Sequence, residues 1–185
     1  VRLPDKLLPP FSRPNVAAVP TRDLPVLGMY VLGTDELGRD VFARMMEGAR
    51  VSLTVGFVSV SIAIILGVTL GGMAGFLGQQ WRWVDTVFLG MVDIMLSFPT
   101  FFLILTVIAV LPPSIWNIMI VIGITGWVGP ARFVRAEILS LREQEFVLAA
   151  RSLGAGPWRL VFRHLIPNSM GPVMVSGVIG IATAI

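Results

Sequence analysis

The sequence predicts an all-α integral membrane protein, and its composition supports that prediction in three ways. Of its 185 residues, 55% are apolar and only 14% are charged, which is unusual for a soluble domain. The mean hydropathy is +0.84. No charged residue lies between Arg50 and Arg82, or between Asp93 and Arg132, and both runs exceed the roughly 20 residues that a membrane-spanning helix needs.

Four stretches of the sequence have the character of membrane spans. They are residues 51–77, 84–110, 115–134 and 170–185. The first would be about 40 Å long as a helix, and the second contains Pro99 near its middle. The fourth is expected to be incomplete, because it is still apolar at the last residue.

A stripe of small residues occurs at every fourth position of the first span. It comprises Ser59, Ala63, Gly67, Gly71 and Gly75. Small side chains let two helix backbones approach closely in lipid. Glycine is common in membrane helices generally, but the regular spacing favours packing against another helix.

Residues 1–50 are predicted to form an extracytoplasmic loop and an amphipathic helix. The proline-rich beginning shows no periodicity, which predicts loop or extended structure. Thr34 is expected to cap the helix. Asp35, Arg39 and Asp40 could form a metal or acid–base cluster, but a salt-bridged surface turn is favoured because no histidine or further carboxylate converges there.

The composition excludes several classes of chemistry. The sequence has no cysteine, which excludes disulfides, thiolate metal sites and cysteine nucleophiles. Lys6 is the only lysine, so a phosphate-binding loop of the Gly-x-x-x-x-Gly-Lys-Ser/Thr type is impossible. The net charge is +3 and the basic residues are not interleaved with exposed aromatics, so no nucleic-acid partner is expected.

Residues 131–168 form a charged segment with six arginines, three glutamates and the only histidine. The segment predicts a helix, a break and a second helix. The first helix should end at Leu153, because Gly154 can adopt the left-handed conformation that closes a helix. The second should begin at Pro157 and end near Ile166, since the following proline disfavours helical geometry in the residue before it.

The second of these helices is predicted to be amphipathic. Its apolar face would comprise Trp158, Val161, Phe162 and Leu165, and its basic side Arg159 and Arg163. Such a helix suits a membrane surface or the groove of a partner. An ordinary arginine-rich cytoplasmic loop is the alternative interpretation.

Arginine counts predict the orientation of the chain. They place residues 132–164 in the cytoplasm and, by alternation of the spans, residues 1–50 outside. Asp93 is the only ionisable residue that lies away from the ends of a predicted span, and such residues usually face a bundle interior or a water-filled path. Asp93 is therefore a candidate for the translocation pathway, unless it pairs with Arg82 or a neighbouring chain or extends to the membrane interface.

Two motifs in the charged segment resemble the EAA loop of bacterial ABC importer permeases. That loop reads Glu-Ala-Ala, three residues, Gly, nine residues and Ile-x-Leu-Pro. The similar motifs here are Leu148-Ala149-Ala150-Arg151-Ser152-Leu153-Gly154 and His164-Leu165-Ile166-Pro167-Asn168. Ala149, Ala150, Gly154 and Pro167 fall on the pattern. Leu148 replaces its Glu, and His164 replaces its Ile.

Other stretches are typical of the dipeptide, oligopeptide and nickel branch of that family. They are residues 32–40, residues 48–53 and the pattern Asp85…Asp93…Phe98-Pro99. The chain is most similar to the second of the two permease subunits in that branch. The resemblance implies a type I ABC importer helical bundle of six membrane helices. This chain would hold the second to the fifth helix and be truncated at both ends.

The resemblance also implies partners and a location. The chain would be a multi-pass protein of the inner membrane, in contact with lipid, a second permease subunit, two ATP-binding cassette ATPase subunits and an extracytoplasmic substrate-binding protein. ATP hydrolysis would take place on the ATPase, so the chain would be no enzyme and would need no cofactor. The cargo would be a di- or oligopeptide, or a related solute such as a nickel chelate.

In this family the EAA helix, here in a cytoplasmic coupling loop at residues 135–168, docks in a groove on the ATPase. The matching positions imply that Ala149 and Ala150 permit close approach and that Gly154 makes the turn. The remaining implied coupling residues are Phe146, Leu153 and Trp158 for apolar contact, Arg151 for the polar rim, and Pro167 as a brace.

Two other classes of protein were weighed against an ATP-driven importer. A secondary transporter or channel subunit would need several intramembrane charges or inverted repeats with broken helices, and the sequence offers one aspartate and no repeat. An intramembrane enzyme would need a His/Glu metal pair or a Ser-His-Asp set, and no such set converges here. The importer is therefore favoured.

Overall fold

The computed structural model describes residues 5–15, 25 and 27–184. The helices are α1 (Val41–Leu77), α2 (Arg82–Ser97), α3 (Thr100–Val110), α4 (Ile115–Thr125), α5 (Val128–Leu141), α6 (Glu145–Ser152), α7 (Pro157–Arg159) and α8 (Ile166–Ala184), with a π-helical segment at Leu160–Leu165. Within the described ranges, extended pairing is limited to two isolated β-bridges. The predicted all-α class is confirmed. The chain divides into two compact units, Val1–Leu53 and Thr54–Ile185.

The first unit contains a hydrogen-bonded loop built around a buried aspartate, Asp5. The hydroxyl of the buried Tyr30 donates to Asp5 Oδ2 at 2.9 Å. The Thr34 hydroxyl donates to the Asp5 carbonyl oxygen and accepts the N–H of Leu8 at 2.8 Å. The proline-rich beginning of the chain lies partly outside the described residues, and its described part is this irregular loop.

The first helix begins later than the sequence predicted. Thr34 does not cap it, because the Thr34 hydroxyl is already bonded inside the loop. Asp40 is the capping residue, and its Oδ1 accepts the N–H groups of Phe42 at 2.9 Å and Ala43 at 3.3 Å. The helix passes Arg50 without a break and is 37 residues long in all. The predicted amphipathic helix before residue 50 and the predicted span after it are therefore parts of one helix without proline. Its side chains change from partly polar to apolar near Arg50.

The predicted salt-bridged turn before α1 is confirmed. Arg39 Nε donates to Asp35 Oδ2 at 2.7 Å. The N–H groups of Leu37 and Arg39 donate to Asp35 Oδ1 at 2.8 and 2.9 Å. Because the backbone N–H of Arg39 and its guanidinium both stabilise the charged form, the pKa of Asp35 lies below its ordinary value.

The predicted close packing of the small-residue stripe is also confirmed. All five residues of the stripe are buried. A Cβ added at Gly67 would lie 2.6 Å from Pro130 Cβ, so α1 and α5 meet nearly backbone to backbone. Ser59 Oγ donates to the carbonyl oxygen of Met119 at 3.0 Å and joins α1 to α4. A side-chain hydrogen bond thus supplements the close packing.

The predicted second span, residues 84–110, is not one straight helix. Its two helices, α2 and α3, are bent by 82° at a break. Phe98 is extended at the break, with φ −99° and ψ 130°. Pro99 explains the bend, because proline lacks an N–H and drives the preceding residue out of helical geometry.

Among the described residues, three helical stretches are long and apolar enough to cross a membrane: Val41–Leu77, Ile115–Leu141 and Pro157–Ala182. The α2–α3 pair would be a fourth if it counts as one span. The third predicted span ended at residue 134, but its helical stretch reaches Leu141. The fourth was predicted to begin at residue 170, but its helical stretch begins at Pro157. Each helix therefore extends from the apolar region into the charged segment.

Candidate functional site

The charged segment contains one more break than the sequence predicted. A continuous helix to Leu153 was expected, but α5 ends at Leu141 and α6 is a separate helix of eight residues. Gln144 between them is extended, with φ −73° and ψ 147°. Its carbonyl oxygen accepts the N–H groups of Val147 at 3.0 Å and Leu148 at 3.1 Å, which starts α6.

The predicted end of α6 at Leu153 is confirmed. Gly154 has φ +82°, a left-handed conformation that favours glycine. The Gly154 N–H donates to the carbonyl oxygen of Arg151 at 3.0 Å, and the Ala155 N–H donates to that of Ala150 at 3.1 Å. These two bonds form a Schellman motif, which satisfies carbonyl groups at the helix end and fixes the turn.

The next helix begins at Pro157, as predicted, but it does not end at Ile166. It passes through the π-helical segment directly into α8. The Ile166 N–H donates to the carbonyl oxygen of Val161, five residues back. Pro167, the second residue of α8, therefore lies inside a continuous helical stretch. The wider π turn before it lets the helix continue where an α-helix would break.

The inward side of this region forms one hydrophobic cluster. It contains Val134, Ile138, Val147, Leu160, Val161, Leu165 and Val173. These residues come from α5, α6, the π-helical segment and α8. Shared burial therefore attaches the short α6 to two much longer helical stretches, so the four elements should move together.

The predicted apolar face of the second helix is divided between two sides. Val161 and Leu165 are buried in the cluster, whereas Trp158 and Phe162 are 72% and 63% exposed. The exposed rings stack on each other, with centroids 5.9 Å apart and planes 17° apart. The π-helical turn holds more residues than an α turn, which changes the angular spacing on which the prediction relied.

Several apolar side chains on α6 and the following helix are exposed, and we call them the α6–π surface. They are Phe146, Leu148, Leu153, Trp158 and Phe162. Leu153 is 89% exposed, next to the left-handed turn at Gly154. Large exposed apolar side chains on consecutive helices make this region a candidate interaction surface.

Most of the predicted coupling residues lie on or beside this surface. The exposed ones are Phe146, Ala149, Arg151, Leu153, Gly154, Trp158 and Pro167. Ala150 is half-buried and packs against the hydrophobic cluster. Leu148 and Phe162 belong to the surface but were not among the predicted coupling residues. The spacing of Phe162, four residues after Trp158, was the signal that could have identified it.

The α6–π surface has a basic border. Arg151, Arg159 and Arg163 are all exposed, and none of them forms an ion pair with another described residue. Arg142 differs, since its Nε lies 3.1 Å from Glu143 Oε1. An apolar centre with free guanidinium groups around it suits a partner with an apolar groove and acidic or polar edges.

Asp93 lies on α2, four residues before the end of that helix. Its side chain is exposed and forms no ion pair with another described residue, Arg82 included. Pairing with Arg82 was one of the alternatives that the sequence left open, and that pair is absent from the described residues. The Asp93 carboxylate can therefore interact with water or with a group outside this chain.

The ion pair of α2 lies at the other end of the helix and involves a different aspartate, which the sequence did not predict. Asp85 in the first turn of α2 accepts two hydrogen bonds from Arg135 in α5. They join Nε to Oδ1 at 2.7 Å and Nη2 to Oδ2 at 2.8 Å. The two residues are 50 positions apart, and no local pattern predicts such a pair. An acidic residue in the first turn of a helix was the only available signal.

The chain is similar to known transport proteins. The family described as "Binding-protein-dependent transport system inner membrane component" matches residues 63–185. The dipeptide transport system permease protein DppC of Alkalihalophilus pseudofirmus is 44% identical over 153 residues, or 83% of this chain and 49% of that protein. The oligopeptide transport system permease protein OppC of Bacillus subtilis is 36% identical over 179 residues, or 96% and 58%.

A third relative is the dipeptide transport system permease protein DppC of Bacillus subtilis. It is 34% identical over 179 residues, which cover 95% of this chain and 55% of the relative. The chain thus spans about half the length of these curated relatives. The family match includes α6 and the α6–π surface.

Proposed function

Because the chain belongs to the family of binding-protein-dependent transport system inner membrane components, we propose that it forms part of the transmembrane pore of an ATP-driven importer. Its proposed cargo is a di- or oligopeptide, since its relatives are dipeptide and oligopeptide permeases. The chain would provide alternating access, and a separate ATPase subunit would hydrolyse ATP.

The proposed location is the inner membrane, crossed several times. The long apolar helical stretches support this location. Residues 135–168 would face the cytoplasm, because their arginines follow the positive-inside rule. Residues 1–50 would be an extracytoplasmic loop followed by the beginning of α1, and the rest of the chain would form the permease domain.

The observation that carries the proposal is the exposed α6–π surface on a firmly packed base. Val147 and Leu165 are completely buried, so α6 is attached to α5 and α8. Leu153 is 89% exposed, and Trp158, whose ring stacks on Phe162, is 72% exposed. A groove on the ATPase would bury these two side chains, and each would contribute about 1.5–3 kcal/mol by analogy with other apolar burial.

Each predicted coupling residue has a defined part in the proposed docking. Phe146, Leu153 and Trp158 would supply apolar contact, and Arg151 would form a polar contact at the rim. Ala149, which is exposed and small, would permit close approach of the ATPase. The remaining positions are structural: Ala150 packs on the hydrophobic cluster, Gly154 closes α6, and Pro167 would brace the start of α8.

Further partners are proposed from the other exposed regions. The apolar side chains of α3 are widely exposed, with Phe101 at 67% and Phe102 at 65%. A second permease subunit and lipid would cover them. The substrate-binding protein would meet the extracytoplasmic side, and two ATPase subunits would serve the two permease subunits.

Asp93 is proposed to face the translocation pathway. Its carboxylate is on the exposed side of α2, next to the bend at Phe98-Pro99. A carboxylate in an apolar span is stable only if water or a partner solvates it. An anionic group in the pathway would attract the amino group of a passing peptide.

A purification from membranes tests the proposed function. The transporter would be captured through this subunit, and the co-purified ATPase would be quantified for wild type, Trp158→Ala and Trp83→Ala. Trp83 is a matched control, because it is 65% exposed but lies on α2. We expect Trp158→Ala to reduce the recovered ATPase by about tenfold or more, as expected for a contact worth about 1.5–3 kcal/mol, and Trp83→Ala to leave it unchanged.

Two results would contradict the proposal. One is a wild-type protein that transports peptide with no ATPase bound, which would favour a secondary transporter. The other is an equal loss of ATPase from Trp158→Ala and Trp83→Ala, because that result would place no docking site at the α6–π surface.

A further inference from the structure

We propose that the ion pair between Asp85 and Arg135 transmits movement of α6 to the bent α2–α3 pair. The inference rests on the proposed function, because it assigns to this pair the step between ATPase docking and opening of the pathway. Arg135 and Asp85 would thus be positioning residues that touch neither ATP nor the cargo.

Arg135 lies on α5, which packs against α6. Val134 and Ile138 of α5 are completely buried in the cluster that holds Val147 of α6. Any displacement of α6 would leave a cavity in that cluster unless α5 followed it. Movement of α6 therefore reaches α5 within one turn of Arg135.

Asp85 lies at the start of α2. A Cβ added at Gly78 would lie 3.0 Å from Asp85 Cβ, so the Asp85 side chain is confined by the end of α1. Both carboxylate oxygens are engaged by the same guanidinium. The start of α2 is thus held to α5 with little freedom to rotate or slide.

The apolar contacts between α2 and α5 do not impose the same constraint. Phe88 and Val92 are buried with Val128 and Ala131 in a second cluster, and the Phe88 ring meets Trp127 edge to face at 6.3 Å. Apolar burial has no preferred direction, so these side chains could slide past one another. A planar fork of two hydrogen bonds fixes both distance and orientation.

The partial burial of the Arg135–Asp85 pair makes the loss of either charge costly. The side chains of Arg135 and Asp85 are 24% and 28% exposed, so water reaches them only in part. Removing one charge would leave the other partly buried without its partner. In comparison, the Arg39–Asp35 pair in the other compact unit is more accessible on its arginine side, at 44%.

The bend at Phe98-Pro99 determines which part of the chain a movement of α2 would displace. α2 begins at the ion pair and ends at the bend, and α3 turns away from it by 82°. A rotation imposed at Asp85 would therefore swing α3 through a wide arc. Asp93, the proposed pathway residue, lies on the same helix between the two points.

The test compares cargo transported per ATP hydrolysed in the assembled transporter in vesicles. Asp85→Asn removes the charge, and Arg135→Lys keeps both charges but loses the planar fork. We expect each variant to keep the ATPase bound and active and to lower cargo per ATP by about tenfold, a usual size for coupling between sites. Asp35→Asn, which removes one charge from the Arg39 pair, should leave the ratio unchanged.

A distance measurement separates positioning from general damage. The chain has no cysteine, so spin labels can be attached at Glu145→Cys on α6 and Val110→Cys on α3. With wild-type Asp85, nucleotide binding should change the distance between the labels. With Asp85→Asn, that change should disappear while the ATPase remains bound.

Each possible result supports or overturns a specific statement. A wild-type ratio of cargo to ATP in both variants, with the ATPase bound, overturns this inference alone. The inference is also overturned if transport and ATP hydrolysis fall together while nucleotide binding still changes the distance between the labels. That result would indicate a structural role for the pair. A wild-type preparation that lacks an ATPase overturns the proposed function, and this inference with it.

Discussion

Gly71 in α1 lies directly against Ala131 in α5. A Cβ added at Gly71 would lie 2.9 Å from both the carbonyl carbon and the Cα of Ala131 and would collide with its carbonyl oxygen. The two helices therefore approach at a distance that only glycine permits at this position. Four residues further along each helix, a Cβ added at Gly75 would lie 3.0 Å from the carbonyl oxygen of Arg135.

Replacing Gly71 should separate these helices. We expect Gly71→Ala to lower the free energy of unfolding by about 1–3 kcal/mol, because the methyl group would have to displace backbone. Gly72→Ala is the control, since its Cβ would meet only Ile138 Cδ1 at 3.7 Å, an ordinary contact. Unfolding of the purified permease in mixed detergent micelles measures both. Equal stability of the two variants would contradict the close approach.

The effect of replacing Gly154 should depend on whether the new residue tolerates a positive φ, and not on the volume of its side chain. Its φ is +82° and no atom lies within 4 Å of an added Cβ. Gly154→Val should therefore be strained by roughly 1–2 kcal/mol and reorient the end of α6, which lowers coupled transport and leaves the spans intact. Gly154→Asn should retain most transport, because asparagine tolerates this conformation. Unchanged transport and ATPase stimulation in Gly154→Val would contradict the assignment.

Leu165 and Phe162 should differ although the sequence placed them on one face. Leu165 is completely buried and Phe162 is 63% exposed. Leu165→Ala should destabilise the permease by about 2–5 kcal/mol, whereas Phe162→Ala should change its stability by less than about 0.5 kcal/mol and reduce ATPase binding. Detergent unfolding and ATPase co-purification, measured on the same preparations, distinguish the two effects. Similar destabilisation of both variants would argue against the division of this face.

The Asp35 carboxyl should titrate below its ordinary pKa of about 3.9. Backbone and guanidinium donors from Arg39 stabilise its charged form. Because the folded pKa is the lower one, the turn is fully stabilised above the ordinary value and loses that stabilisation as the pH falls through the folded value. Carboxyl-carbon NMR of the purified permease measures the midpoint. Arg39→Met should raise the pKa only in part, since the backbone donors remain, and an ordinary wild-type pKa would contradict the turn geometry.

Local signals in the sequence predicted the features that local chemistry decides. Gly154 and Pro157 mark a helix end and a helix start through backbone preferences of single residues. The four-residue spacing from Ser59 to Gly75 predicted a close helix contact, because it places all the small residues on one face of a single helix. The all-α membrane class followed from composition alone.

The remaining features depend on contacts between distant residues. Nothing in the sequence between Leu141 and Glu145 marks a break, since the segment has neither glycine nor proline. Pro167 was read as a helix end, but the π-helical turn before it accommodates the ring. Asp85 and Arg135 meet only because α2 and α5 pack beside the end of α1, so their pairing required the structure.

The central claim is that the α6–π surface docks on an ATPase, and site-directed cross-linking tests it most directly. A cysteine at Leu153, which is 89% exposed, would carry a photoactivatable cross-linker in native membranes, with a cysteine at Val110 as the control. The account predicts a covalent adduct between residue 153 and an ATP-binding subunit, and none from residue 110. An active transporter in which residue 153 cross-links only to lipid, or to no ATP-binding protein, would contradict it.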